Sequence, residues 1–127
     1  MKPITSEWVE KAEGDFATAQ RELDAADHPN YDAVCFHAQQ CIEKYLKAFL
    51  QEADISFRKT HDLSELLNSA LSVDSALELL RADLNSLSAF AIEYRYPGES
   101  ANVDEAREAL ERCQSVRRVL RQALGHV

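Results

Sequence analysis

The pair Arg95-Tyr96, directly before Pro97, combines two side chains suited to contacts with a nucleotide. An arginine guanidinium can donate two parallel hydrogen bonds to a phosphate, and a tyrosine ring offers a flat face on which a base can stack. A structural role explains the same residues: an arginine in the last turn of a helix complements the negative end of the dipole, and a tyrosine packs there readily. Both interpretations fit the sequence.

A second candidate site comprises Lys59, His61 and Asp62, at the point where a loop enters a helix. Backbone N–H groups at the start of a helix, together with a lysine, predict an anion-binding site. In the alternative interpretation, Asp62 favours the positive end of the helix and His61 packs on the bundle.

His37 and Lys44 form a third candidate pair, on the border of an apolar helix face. At 100° per residue the two positions lie within about 20° of each other. A side chain on such a border can pack its stem and still reach a nucleotide or a protein partner. The alternative is a solvated helix edge with one packed histidine.

Other kinds of chemical site find little support in the sequence. The four histidines are widely separated and no H-x-x-x-H pattern occurs, so we predict no metal site. Neither a glycine-rich phosphate loop nor a supported Ser-His-Asp set is present, and we predict no cofactor. The cysteines lie in apolar stripes, which predicts reduced core thiols rather than nucleophiles: Cys35, Cys41 and Cys113.

These candidates must be positioned by helices. Apolar residues recur at spacings of three and four in segments that predict helices over about 6–26, 31–53, 61–71, 74–96 and 103–124. Side chains suited to N-capping precede or begin these segments: Thr5, Ser6, Thr60, Asp74, Asn102 and Asp104. With only three Gly and three Pro, the chain is predicted to be all-α, an antiparallel up-and-down bundle of four to five helices forming one domain over residues 1–127.

The second predicted helix has one apolar face, made by Val34, Ala38, Cys41, Ile42, Tyr45, Leu46 and Phe49. The opposite face carries Gln39, Gln40, Glu43 and Lys47. Glu43 and Lys47 are four residues apart in the favourable order, which predicts a helix-stabilising pair contributing a few tenths of a kcal/mol.

Composition narrows the classes of function. Of 127 residues, 46% are apolar, enough for one core, and the formal net charge of −8 disfavours binding to duplex DNA, although one nucleotide or a short RNA end stays compatible. The sequence has no signal-peptide pattern and no apolar run of about 20 residues, so we expect a cytoplasmic protein without a membrane span.

Three segments in succession carry a family resemblance. They read HAQQCIEKYLKA at 37–48, KTHDL at 59–63 and RYP at 95–97. This ordered set is similar to the bacterial and archaeal HEPN family, and the resemblance covers about residues 6–122. It implies a helical bundle that usually dimerises, a role related to nucleotides or RNA, and frequent pairing with a minimal nucleotidyltransferase, in some cases as toxin and antitoxin.

Many HEPN proteins are metal-independent ribonucleases whose motif is an Arg, four to six residues, then a His. Arg95 stands at about the expected place for that arginine, but Ser100, Ala101 and Asn102 occupy the window where the histidine belongs. Two formal matches elsewhere, Arg21 with His28 and Arg121 with His126, are consistent with chance. The standard ribonuclease mechanism is therefore not expected.

The leading functional expectation is a homodimeric HEPN module that binds nucleotide or short RNA, or pairs with a nucleotidyltransferase. Tyr94 and Tyr96, which flank Arg95, are candidate acceptors for modification by such a partner. The alternatives are an atypical ribonuclease, with Arg95 on the scissile phosphate and His61 as acid or base, and a helical scaffold without a ligand. A monomer mass at high protein concentration would contradict the dimer.

Overall fold

Helices make up most of the structure, a computed structural model that describes residues 1–94 and 96–125. The predicted all-α class is confirmed. The elements are α1 (Pro3–Leu23), α2 (Tyr31–Glu52), α3 (Leu63–Ala70), a 3-10 helix (Ser75–Leu80), α4 (Arg81–Glu93) and α5 (Val103–Ala123).

Helix α1 runs antiparallel to α2. The Thr5 hydroxyl near the start of α1 donates to Glu52 at the end of α2 over 2.9 Å. Farther along α1, Asp15 lies 2.8 Å from His37, near the start of α2. The helix that carries the first motif segment is thus held by α1 along most of its length.

Helix α5 runs parallel to α2 and antiparallel to α4. The backbone N–H of Ala101, just before α5, donates to Asp32 over 2.7 Å, and Arg121 near the end of α5 donates to Tyr45 over 3.0 Å. Tyr94, directly after α4, contacts Glu105 in the first turn of α5. These directions give the predicted up-and-down arrangement of α1, α2, α4 and α5.

Helix α2 lies at the centre of the bundle and packs against α1, α3, α4 and α5. Its buried apolar side chains interlock with those of its neighbours to form the main core. Fully buried large side chains in this core include Ile42, Tyr45, Leu46, Leu50, Leu66, Leu84 and Leu120. Within the described residues, no helix has the length and apolarity needed to cross a membrane.

The predicted N-caps of α1 are wrong. The helix begins at Pro3, with Lys2 as its N-cap and no side-chain capping bond, and Thr5 and Ser6 lie inside its first turn. Proline stabilises this start because its fixed φ suits the first helical position, where its missing N–H is not needed. Thr5 is buried and uses its hydroxyl to reach Glu52 on α2.

The middle of the chain also departs from the prediction. Asp62, not Thr60, is the N-cap of α3. Asp74 caps a helix as predicted, but that element is the short 3-10 helix, and α4 follows it from Arg81. The prediction for α5 is confirmed: Asn102 caps it in a capping box with Glu105, and the helix ends within one residue of the predicted end.

Candidate functional site

The polar face of α2 is largely buried and does not face solvent. Gln39, Glu43 and Lys47 are only 4%, 2% and 7% exposed. The Lys47 ammonium lies over the ring of Trp8 from α1, 5.5 Å from its centroid, and His61 from the loop before α3 reaches Glu43. Neighbouring segments therefore cover both sides of a face that the helical periodicity alone assigns to solvent.

Glu43 is the centre of a buried polar network. Its carboxylate accepts hydrogen bonds from Lys47 Nζ at 3.0 Å, from Gln39 Nε2 at 3.3 Å and from Gln40 Nε2 at 3.4 Å. His61 Nδ1 lies 3.1 Å from both carboxylate oxygens. A buried carboxylate requires this many donors, because an unpaired one would carry a large desolvation cost. Glu43 and Lys47 thus form part of a network that joins two motif segments, not a surface pair.

The ring of His61 is exposed, although its Nδ1 contacts a buried carboxylate. Its side chain is 77% exposed, whereas that of Glu43 is 3% exposed. Because Nδ1 faces Glu43, Nε2 is the ring nitrogen presented to a ligand. A carboxylate behind a histidine fixes the tautomer and orientation of the ring, an arrangement that also suits a general acid or base.

A surface groove of about 370 Å³ opens beside this histidine. Three elements form it: α2, the segment that leads into α3, and the second half of α4. Its lining combines an amide, an imidazole, a hydroxyl and a carboxylate with two apolar side chains, from Gln39, His61, Asp62, Ser88, Ala91 and Ile92. Sequence reasoning missed Ser88 and Ile92, which belong to no motif segment.

Asp62 is the N-cap of α3, and the N-terminus of this helix was predicted to be part of an anion-binding site. Its Oδ1 accepts the backbone N–H groups of Ser64 at 2.9 Å and Glu65 at 3.3 Å, and Thr60 Oγ1 accepts the N–H of Asp62 at 3.1 Å. These N–H groups are therefore occupied, and Asp62 is one of the residues that line the groove. Lys59 is exposed and does not line the groove.

His37 and Lys44 meet in a different network. Asp15 of α1 bridges them, with Oδ1 2.8 Å from His37 Nδ1 and Oδ2 2.5 Å from Lys44 Nζ. Asp15 is 9% exposed, and this ion-paired cluster ties α1 to α2 without lining the groove. The sequence shows no local feature that marks Asp15, because a single acidic residue beside an apolar stripe is typical of many helices.

The RYP segment is described only in part. Arg95 lies outside the described residues. Tyr96 is exposed, whereas the Tyr94 hydroxyl donates a hydrogen bond to Glu105. Partial burial and this carboxylate raise the pKa of Tyr94 above its usual value. His126 of the formal Arg121 match also lies outside the described residues.

The remaining ionisable residues point to structural roles. Three arginines of α5 are engaged by other helices: Arg112 by Asp83, Arg117 by Glu13 and Arg121 by Tyr45. All three cysteines are buried, and burial raises the pKa of Cys35 to about 12, which disfavours a nucleophilic thiolate. In the described ranges, no three His, Cys, Asp or Glu side chains gather in a way that would hold a metal ion.

Fold and site together define a class: a helical bundle in which the motif residues of α2 and the loop before α3 build a polar network beside a groove. Comparison with known proteins identifies the family. The family profile described as HEPN domain matches residues 5–123, and the chain belongs to the HEPN domain family. The crystal structure of an archaeal HEPN homologue matches with a TM-score of 0.71 at 22% identity, over 96% of this chain and 98% of the homologue. No curated protein sequence gives a significant match.

Proposed function

We propose that this HEPN domain binds a nucleotide, or the terminal nucleotide of a short RNA, in the groove between α2, the start of α3 and α4. The observation that supports this proposal is the composition of the groove: Gln39, His61 and Asp62 line it together with the exposed apolar side chain of Ile92. The module would act in the cytoplasm, and it would form the homodimer that the family resemblance implies.

The volume and the lining of the groove support a nucleoside as its ligand. A volume of about 370 Å³ is in the range of small-molecule sites, which are mostly apolar with a few well-placed polar groups. Ala91 and Ile92 offer an apolar surface to the face of a base, while the Ser88 hydroxyl can hydrogen-bond its edge or the sugar. The net charge of −8 favours a ligand with few phosphates over a long nucleic acid.

Replacing Ile92 by glutamate should weaken binding of a short RNA at least tenfold, about 1.4 kcal/mol. The new carboxylate would remove the apolar contact and repel the ligand phosphates. Leu79→Glu is the matched control, because Leu79 is 67% exposed and Ile92 is 59% exposed, and Leu79 does not line the groove. Fluorescence anisotropy of a 5′-labelled RNA would measure both affinities.

The same RNA should afterwards be examined on a denaturing gel. Intact RNA, with an affinity lost in Ile92→Glu and retained in Leu79→Glu, would support the binding function. RNA that is cut by the wild type and left intact by His61→Ala would instead support the ribonuclease alternative, which the contact between Glu43 and His61 favours. Equal affinities of the two glutamate variants would refute the groove as the site.

We propose a second role, as the target of a partner nucleotidyltransferase, the pair acting as toxin and antitoxin. The observation that favours it is the contrast between two tyrosines: Tyr96 is exposed, whereas Tyr94 holds its hydroxyl against Glu105. In the transfer, the phenolic oxygen would attack the α-phosphorus of ATP, pyrophosphate would leave, and the phenol proton would pass to a base of the partner.

Tyr96→Phe should therefore abolish nucleotide transfer to this chain, because phenylalanine has no attacking oxygen. Tyr94→Phe should keep at least half of the transfer, since the Tyr94 hydroxyl is engaged and its pKa is raised. Intact-mass spectrometry after incubation with the nucleotidyltransferase and ATP would count the added nucleotides. Full transfer to the Tyr96→Phe protein would exclude this residue as the acceptor.

A further inference from the structure

We propose that Glu43 holds the ring of His61 in the tautomer with its hydrogen on Nδ1, and that Nε2 then determines which ligand the groove prefers. With a neutral ring, Nε2 accepts a hydrogen bond from an uncharged nucleoside. With a protonated ring, Nε2 donates one to a phosphodiester. This inference rests on the proposed binding function and makes His61 a specificity-determining residue, with Glu43 as its positioning residue.

The Glu43 carboxylate can only accept hydrogen bonds. Lys47 Nζ donates to its Oε2 at 3.0 Å, and both side chains are buried. Such a carboxylate is ionised, because a buried ammonium without a counter-ion would carry a large desolvation cost. Gln39 Nε2 donates to the other oxygen, Oε1, at 3.3 Å. An ionised carboxylate has no proton to donate, so every partner of Glu43 must be a donor.

His61 must therefore supply the hydrogen of its contact with Glu43. Its Nδ1 lies 3.1 Å from both carboxylate oxygens, within hydrogen-bonding distance. Only one nitrogen of a neutral imidazole carries a hydrogen, and the bond made at one nitrogen decides which it is. The geometry thus assigns the hydrogen to Nδ1 and leaves a lone pair on Nε2.

Nε2 gives the groove a different preference in each charge state of the ring. His61 lines the groove, and its side chain is largely exposed. The neutral ring can accept from a ribose hydroxyl or from an amino group of a base. The protonated ring carries a positive charge and makes a charge-assisted hydrogen bond to a phosphodiester oxygen. Because a histidine ordinarily changes its charge between about pH 5 and 8, preference for the phosphodiester should rise as the pH falls.

The other charged groups around His61 belong to α2 and to its own segment: Glu43, Lys47, Lys59 and Asp62. The three α4 residues that line the groove are uncharged: Ser88, Ala91 and Ile92. Carboxylates, ammonium groups and guanidinium groups ordinarily keep their charge between about pH 5.5 and 8.5. This includes Arg95, which lies outside the described residues, so a comparison across that range reports on histidine.

A two-bond ¹⁵N–¹H correlation spectrum of the histidine rings at about pH 8.5 tests the tautomer directly. His61 should carry its hydrogen on Nδ1, and its signals are identified by their loss in His61→Asn. His28, whose side chain is 94% exposed, should show the mixture of tautomers that is typical of a free imidazole. Hydrogen on Nε2 of His61, or a mixture like that of His28, would overturn the inference.

The ligand preference is tested by isothermal titration calorimetry with adenosine and its 5′-(methyl phosphate), a diester with one charge at both pH values. In the wild type, the affinity for the diester relative to adenosine should rise at least about fivefold from pH 8.5 to pH 5.5. In His61→Asn it should change less than about twofold, because the amide can still donate to Glu43 but has no counterpart of Nε2.

His28→Asn is the matched control, since His28 does not line the groove and asparagine tolerates its positive φ of 50°. It should behave like the wild type. Glu43 itself is kept, because its replacement would leave Lys47 without a counter-ion. Circular dichroism at both pH values would verify that each variant is folded.

A pH-independent preference in the wild type, or an undiminished rise in His61→Asn, would overturn this inference while leaving the binding function in place. Failure of both ligands and of the short RNA to bind would instead refute the proposed function, and this inference with it.

Discussion

Leu46→Ala should lower the free energy of unfolding by about 3 kcal/mol. Leu46 is fully buried on α2, the helix that packs against α1, α3, α4 and α5. Alanine would remove three carbon atoms from a close-packed centre and leave a cavity that several rigid helices border, so the surrounding structure can relax only in part.

Urea denaturation followed by circular dichroism would measure this difference. The control is Leu79→Ala, which removes the same atoms from a side chain that is 67% exposed and should change stability by less than about 0.5 kcal/mol. Similar midpoints for the two variants would show that α2 is not the centre of the core. An unchanged m-value is expected, because both variants should unfold in one cooperative step.

Much of this core was predictable because the apolar spacing of α2 is regular. Asn102, a short polar side chain directly before an apolar stripe, caps α5 as predicted, and Asn30 caps α2 in the same way although it was not predicted to do so. The start of α1 was less predictable, because a proline at the first helical position and two hydroxyl residues after it offer competing places to begin. Tertiary contact with Glu52 selects the buried position of Thr5.

Of the residues that line the groove, only His61 and Asp62 were predicted as site residues, and their geometry was not predictable. Periodicity places Glu43 and Lys47 on a polar face, and the sequence of α2 cannot show that Trp8 and His61 will cover them. Desolvation of a face depends on segments distant in sequence, which local patterns do not encode. The same reason explains why Asp15 was missed as the bridge between His37 and Lys44.

Arg117→Ala should lower the free energy of unfolding by about 2 kcal/mol. The Arg117 guanidinium donates to both carboxylate oxygens of Glu13, at 2.7 Å and 2.6 Å, and so joins α5 to α1 across most of the sequence. It also lies over the ring of Phe16, 4.3 Å from its centroid. Truncation would remove both contacts and leave Glu13 with Tyr45 and Arg121 as its partners. Arg118→Ala, at the exposed neighbouring position, is the control and should have little effect.

The same ion pair predicts the sign of a pH dependence. The hydrogen bonds from Arg117 hold the pKa of the Glu13 carboxyl below its usual value of 4.5. The folded-state pKa is lower than the unfolded-state pKa of about 4.5. The stabilisation is therefore fully present above the unfolded-state pKa and is lost as the pH falls through the folded-state pKa. Wild-type protein should therefore lose stability more steeply below pH 4.5 than Arg117→Ala does, and Arg118→Ala should behave like the wild type. The difference in the free energy of unfolding between wild type and Arg117→Ala should narrow as the pH falls. Parallel stability curves for wild type and Arg117→Ala from neutral pH downward would show that Arg117 acts through packing on Phe16 rather than through the charge of Glu13.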